Sequence, residues 1–134
     1  MNVPTATHEL VMALKDDRPG ELARAVTAIA NAGVNIEGYC ELEGEVHVIT
    51  SDPDEAKRAL EMVGFDVAKH EIFVIDAEDR PGFLANVLRR ISAEEVNIIS
   101  TYSLARTRIA FSVDQPARVK EFLQELSPGS SRIR

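Results

Sequence analysis

The 134 residues are 45% hydrophobic and 28% charged, the balance of a globular chain rather than a disordered or fibrous one. A net charge of −7 repels phosphate backbones, and the apolar runs are too short to span a bilayer, so nucleic acid and membrane are both excluded as expected partners. The single cysteine, Cys40, closes no intrachain disulfide and no export pattern opens the chain, which points to a reducing cytoplasm.

In chain order, residues 1–6 read as a loose end. Leu10, Met12 and Leu14 then alternate on one face of a strand. Lys15 to Gly20 is a turn, with Pro19 suited to the first helical position because it has no N–H to lose there. Leu22, Val26, Ile29 and Ala30 stripe a helix that Gly33 terminates. Two strands follow, 34–39 and 45–50, hinged at Gly44. Asp52-Pro53-Asp54-Glu55 has the residues of a helix start, and Ala56, Ala59, Leu60 and Val63 give that helix its apolar face. Gly64 ends it, and 65–68 return as a fourth strand. The order strand-helix-strand-strand-helix-strand is the split βαβ plan.

The plan then repeats. Residues 71–75 are apolar on both sides, as in a strand buried on two faces. Phe83, Leu84, Val87, Leu88 and Ile91 stripe a helix, 96–104 and 108–113 form a hairpin, and Val119, Phe122, Leu123 and Leu126 stripe a last helix. Only five residues follow Ser127-Pro128-Gly129, too few for a closing strand. The second sheet therefore lacks an edge or borrows one, and strands around 65–76 are candidates for exchange between units. An uncovered edge invites a second chain, so a homodimer is expected.

The repeat is also visible residue by residue. Aligning 17–36 with 79–98 without a gap gives ten identities in twenty positions, including Asp-Arg-Pro-Gly at the start and Val-Asn-Ile at the end. A tetrapeptide, a helix face and an exit tripeptide together mark an internal duplication. Its period places one module at 1–69 and a second at 70–134.

Each copy carries groups suited to a zwitterion. A loop entering a helix presents backbone N–H groups and the positive dipole end to a carboxylate. Gly20 and Gly82 have no side chain to block that approach. Asp17 and Asp79 offer a carboxylate to an ammonium, and Asn35 and Asn97 offer amides that donate and accept. The bland readings are a helix-start charge for the aspartates, a turn into the strand for the asparagines, and solvent or an acidic neighbour for Arg18 and Arg80. His8, His47 and His70 lack metal-ligand spacing, Cys40 has no CxxC partner, and neither a metal nor a cofactor is expected.

Strand, Asp-Arg-Pro-Gly, amphipathic helix and Gly-Val-Asn-Ile resemble the ACT domains, small ferredoxin-like modules attached to enzymes of amino-acid metabolism. The resemblance covers nearly the whole chain. It implies an α+β fold of two tandem ferredoxin-like βαββαβ modules with their sheets side by side. It also implies an amino acid bound between the first loop of one module and a neighbouring module. Carried over by position, the ligand residues are Lys15, Asp17 and Asn35 in the first copy, with Ala77, Asp79 and Asn97 at the matching places in the second. Arg18, Pro19, Gly20, Glu21, Leu22 and Ile36 complete the first candidate site. Arg80, Pro81, Gly82, Phe83, Leu84 and Ile98 complete the second. Lys15 and Ala77, Asp in place of Asn, and Glu95 opposite Gly33 depart from the family pattern. The implied function is a non-enzymatic regulator that senses a small amino acid and acts on a metabolic enzyme. The alternative is a subunit that only dimerises or docks on such an enzyme, without ligand.

Overall fold

A computed structural model describes residues 4–14 and 18–129. The elements are β1 (Thr5–Ala13), α1 (Glu21–Asn31), β2 (Ile36–Leu42), β3 (Glu45–Thr50), α2 (Pro53–Met62), β4 (Val67–Asp76), α3 (Phe83–Ser92), β5 (Ile98–Leu104), β6 (Arg108–Val113) and α4 (Pro116–Lys120), then a 3-10 turn at Leu123–Leu126. The βαββαβ order occurs once in full, from β1 to β4, and repeats from β4 as βαββα, and the chain divides into two compact units. One is His8–His70; the other joins Glu71 onward to the N-terminal residues through Thr7.

In the unit His8–His70 the strands lie in the order β2-β3-β1-β4. β2 and β1 both pair antiparallel with β3. Leu10, Met12, Val46 and Val48 face Ala25 and Ile29 of α1 and Ala56 and Leu60 of α2, closed by Phe65 and Val67. Side chains of this size contribute about 1.5–3 kcal/mol each when fully buried. The buried line of α1 is Ala25 and Ile29, while Val26 and Ala30, expected in the stripe, are exposed. That line continues the buried Glu21 at i, i+4 and i+8, and Val26 and Ala30, one residue further on, are turned by about 100° to its side. Asp52 caps α2 as expected: its Oδ1 accepts from the Glu55 N–H at 3.2 Å, with Pro53 in the first turn.

The second unit has the order β1-β4-β6-β5. Phe73, Ile75, Phe111 and Val113 pack on Phe83, Val87 and Ile91 of α3 and on Val119, Phe122, Leu123 and Leu126. Ile72 to Ile75 are all fully buried, so this strand is covered on both faces. The slot of its missing last strand is taken by the start of β1, Thr5–Thr7, not left open. Thr5 and Ala6 are thus strand, not a loose end. The strands expected at 65–68 and 71–75 are one continuous strand, β4, because no glycine or proline interrupts Val67–Asp76. The expected last helix breaks after Lys120 and resumes as the 3-10 turn.

The two helices α1 and α3 end differently. Gly33 is left-handed (φ 75), and Gly33 N–H→Ala30 O at 2.9 Å with Val34 N–H→Ile29 O at 3.3 Å forms a Schellman closure. In the second copy Glu95 takes a left-handed conformation (φ 58) without glycine's freedom.

Candidate functional site

Pro19 does not begin α1. Glu21 N–H donates to Arg18 O at 3.2 Å, and Gly20 sits at φ 94, ψ −13. Proline second and a left-handed glycine third make a type II turn, and the helix starts only at Glu21. The second copy repeats it: Phe83 N–H→Arg80 O at 3.4 Å, with Gly82 at φ 90, ψ −15. Pro-Gly is the chemistry of that turn, since proline presets one angle and only glycine takes the other without strain. Lys15 and Asp17 lie outside the described residues.

Both turns leave space beside their glycine. Among the described residues nothing stands within 4 Å of where a Cβ would project from Gly20 or Gly82. The tips nevertheless differ in charge. Glu21, the first helical residue of α1, is buried, accepts from Arg24 Nε at 3.2 Å and Nη2 at 3.1 Å, and lies 3.7 Å from Arg18 Nε. The Arg24 hydrogen bond holds its carboxyl below the usual carboxylate range, against the opposing effect of desolvation. A carboxylate therefore already complements the α1 dipole. At the same place in α3 stands Phe83, buried in the core. Asp79 is exposed, and the neighbouring Arg80 donates to Glu78 Oε2 at 2.6 Å with its guanidinium 5.5 Å from the Phe83 ring. Leu84 is exposed and Leu22 half-buried.

The asparagines occupy the far end of each unit. Asn35 N–H donates to Ser51 Oγ at 3.0 Å while Ser51 N–H donates to Asn35 O at 2.9 Å. Asn97 and Asp114 make the same reciprocal pair at 3.0 and 3.1 Å. These bonds use the backbone of each asparagine; both residues are exposed, and Ile36 and Ile98 beside them are half-buried. Strand register measures the separation from the turns. Ala13 pairs with Glu45, which pairs with Leu42, whereas Ile36 pairs with Thr50, five residues along β3. Asp76 pairs with Arg108, which pairs with Leu104, whereas Ile98 pairs with Val113, five residues along β6. Five strand residues span roughly 17 Å. Within either unit, then, turn and asparagine do not meet, and one amino acid cannot touch both.

Among the described residues, three cavities near these elements stand out. One of about 360 Å³ lies between α3 and β5, lined by Asn97 and Ile98 with Leu88, Arg89, Ile91, Ser92 and Val96. Its counterpart between α1 and β2 is nearly filled, at about 10 Å³, with Tyr39 on its wall beside Leu22, Val26 and Ile36. The third, about 640 Å³, opens where β1 ends, along Val11–Leu14, and carries the carboxylates of Glu43, Glu45 and Asp66 on its walls. Those charges disfavour an anion.

Sequence reasoning missed Arg89 and Ser92, which give the α3 cavity polar groups. They lie on the helix's outer side, where such residues carry no signal. It also missed Glu9, fully buried and bonded to His47 Nδ1 at 2.7 Å, because period-two alternation puts Glu9 on the face away from Leu10 and Met12. Among the described residues no group of three or more His, Cys, Asp or Glu is arranged to hold a metal ion, and no helix is long and apolar enough to cross a membrane.

Comparison with known proteins adds the following. A family model described as an ACT domain pair matches residues 40–127. The protein BT0572 from Bacteroides thetaiotaomicron is similar over 90% of this chain and 88% of its own, at 29% identity and TM-score 0.82. The ligand-free regulatory subunit of aspartate kinase from Thermus thermophilus is similar over 90% and 89%, at 19% identity and TM-score 0.61. E. coli aspartokinase III in complex with lysine and aspartate matches 90% of this chain but 30% of its own, at 17% identity and TM-score 0.58. No curated protein sequence matches.

Proposed function

This chain belongs to the ACT domain family as a pair of such domains, and from that premise we propose that it is a non-catalytic sensor of a small amino acid. The single observation that carries the reading is the space beside Gly82 at the start of α3, where among the described residues nothing stands within 4 Å of the place a Cβ would take. Free N–H groups and a positive dipole end await a carboxylate there. The Asp79 carboxylate stands three residues before that tip as a partner for the ligand's ammonium. Asn97, at the other end of the unit, completes the site only from a neighbouring module, which is how one ligand bridges two ACT modules.

The second copy is the working site. In the first copy Glu21 already places a carboxylate at the tip, and bringing a second negative charge beside it costs Coulomb energy. The first unit instead serves as a docking module. The fold shared with an aspartate kinase regulatory subunit makes a cytoplasmic enzyme of amino-acid metabolism the natural partner. Binding regulates that enzyme if the ligand prefers one arrangement of the modules, because only differential affinity shifts an equilibrium.

A thermal-shift screen with the twenty amino acids tests this. A ligand that binds only the folded state raises Tm with concentration. The reading expects at least one amino acid to do so, with the shift lost in Asp79→Ala and Asn97→Ala and retained in Asn35→Ala. No shift with any amino acid would leave the docking reading alone.

A further inference from the structure

The two copies carry the cation of their first helix at different places. In α1 it is Arg24, held by the Glu21 carboxylate, and the residue one turn further on is Thr27. At the matching places α3 has Asn86 and Arg89. The cation thus stands one turn nearer the helix end, and it has no carboxylate partner there. Arg80, Arg90 and Arg118 of the same unit are each ion-paired, with Glu78, with Glu94 and Glu125, and with Glu94 and Glu121. Among the described residues the Arg89 guanidinium meets only a neutral amide, donating from Nη2 to Asn86 Oδ1.

An arginine in a last helical turn can serve the negative end of the helix dipole. In α3 those carbonyls are already engaged. Arg89 O accepts from Ala93 N–H and from Ser92 Oγ, both at 3.0 Å, Ile91 O from Glu94 N–H at 3.1 Å, and Ser92 O from Glu95 N–H at 2.9 Å. The guanidinium instead reaches back along the helix to Asn86.

Beside it lies the cavity of about 360 Å³, and Arg89 is the one charged residue on its walls. Leu88, Ile91, Val96 and Ile98 make the walls apolar, and Asn97 adds an amide. The Ser92 hydroxyl proton is spent on Arg89 O, so Arg89 and Asn97 are the donors left for a ligand. The space in the first copy is nearly filled, with Tyr39 on its wall. At the place of Tyr39 the second copy has Thr101, whose Oγ1 donates to Ala110 O at 2.8 Å and so stays against the sheet. A cation, an amide and apolar walls fit a short aliphatic chain that ends in a carboxylate.

We propose that this cavity receives the ligand's side chain and that the amino acid sensed is an acidic one, aspartate or glutamate. The proposal rests on the sensing reading above, in which Asn97 belongs to the site and the α3 start with Asp79 takes the α-carboxylate and α-ammonium. Arg89 then pairs with the second carboxylate, and it determines specificity. A lysine or arginine ligand would set cation against cation. Asparagine and glutamine keep the shape of the acidic side chains and lose the charge.

Calorimetry and thermal shift of the full chain with aspartate, glutamate, asparagine and glutamine test this. Aspartate or glutamate is expected to raise Tm and to bind about tenfold more tightly than its own amide. Arg89 is exposed, so Arg89→Met is expected to keep the wild-type Tm without ligand while binding acid and amide about equally. Arg89→Lys is expected to restore part of the preference. A neutral or basic amino acid that shifts Tm where aspartate and glutamate do not would overturn the proposal and leave sensing standing. A preference for the acid that survives in Arg89→Met would overturn the role given to Arg89. If none of the twenty amino acids shifts the wild-type Tm, sensing falls and the proposal falls with it.

Discussion

Glu21 and Phe83 occupy the same position in the two copies, the first helical residue after a type II turn, yet one is an ion-paired carboxylate and the other a core aromatic. The duplication kept the turn and changed what stands behind it. The first prediction concerns pH. Glu21 is held below the usual carboxylate range by Arg24, Glu94 by Arg90 and Asp54 by Lys69. With folded pKa values below unfolded ones, their stabilisation is complete above the ordinary carboxylate range and is lost as pH falls through the folded values. Tm should be level above about pH 5 and decline below about pH 4.5, and Glu21→Gln with Glu94→Gln should flatten that decline.

Arg90 ties α3 to the end of the chain. Its guanidinium donates to Glu94 Oε1 at 2.9 Å and to Glu125 Oε2 at 2.7 Å, and lies 4.5 Å from the Phe122 ring. Hydrogen bonds to charged groups contribute about 1.5–3 kcal/mol, so Arg90→Ala should lower unfolding stability by about 2 kcal/mol or more in a urea titration. Arg58→Ala, whose partner Glu55 is on the surface, should cost less than about 1 kcal/mol.

Among the described residues three left-handed residues of the second copy are not glycine: Glu95 (φ 58), Arg106 (φ 61) and Thr107 (φ 51). A left-handed L-residue costs roughly 1–2 kcal/mol, partly offset on replacement by glycine's greater unfolded entropy. Glu95→Gly and Thr107→Gly should each stabilise by about 0.5–1 kcal/mol, with Thr107 the larger because it is β-branched. The same titration reads the difference.

Removing residues 1–7 takes away the strand segment that fills the slot next to β4 in the second unit. Native-state hydrogen exchange should then show lost protection in β4 and β6, with protection in α1 and β3 largely kept. Equal loss in both units would contradict the division of β1 between them.

Much of the fold was legible because its signals are local. Asp52-Pro53 with Glu55 specifies a helix start, Gly33 a helix end, and Arg-Pro-Gly a turn, whatever surrounds them. What escaped depends on distant partners. Nothing near Thr5 says that it will serve a unit beginning at Glu71; the union of two expected strands in Val67–Asp76 had only a negative local signal, the lack of glycine or proline. At the candidate site, the turns and asparagines were legible as motifs. Their separation was not, because it follows from strand register: Leu104 and Ile98 bracket β5, and the turn belongs to one end and Asn97 to the other.

Calorimetric titration of wild type, Asp79→Ala and Asn97→Ala with the twenty amino acids tests the central claim most directly. Wild type should bind at least one of them, Asp79→Ala and Asn97→Ala should each lose that binding, and Asn35→Ala should keep it. A wild type that binds none, or an Asp79→Ala chain that binds like wild type, would contradict a ligand site at the turn of the second copy.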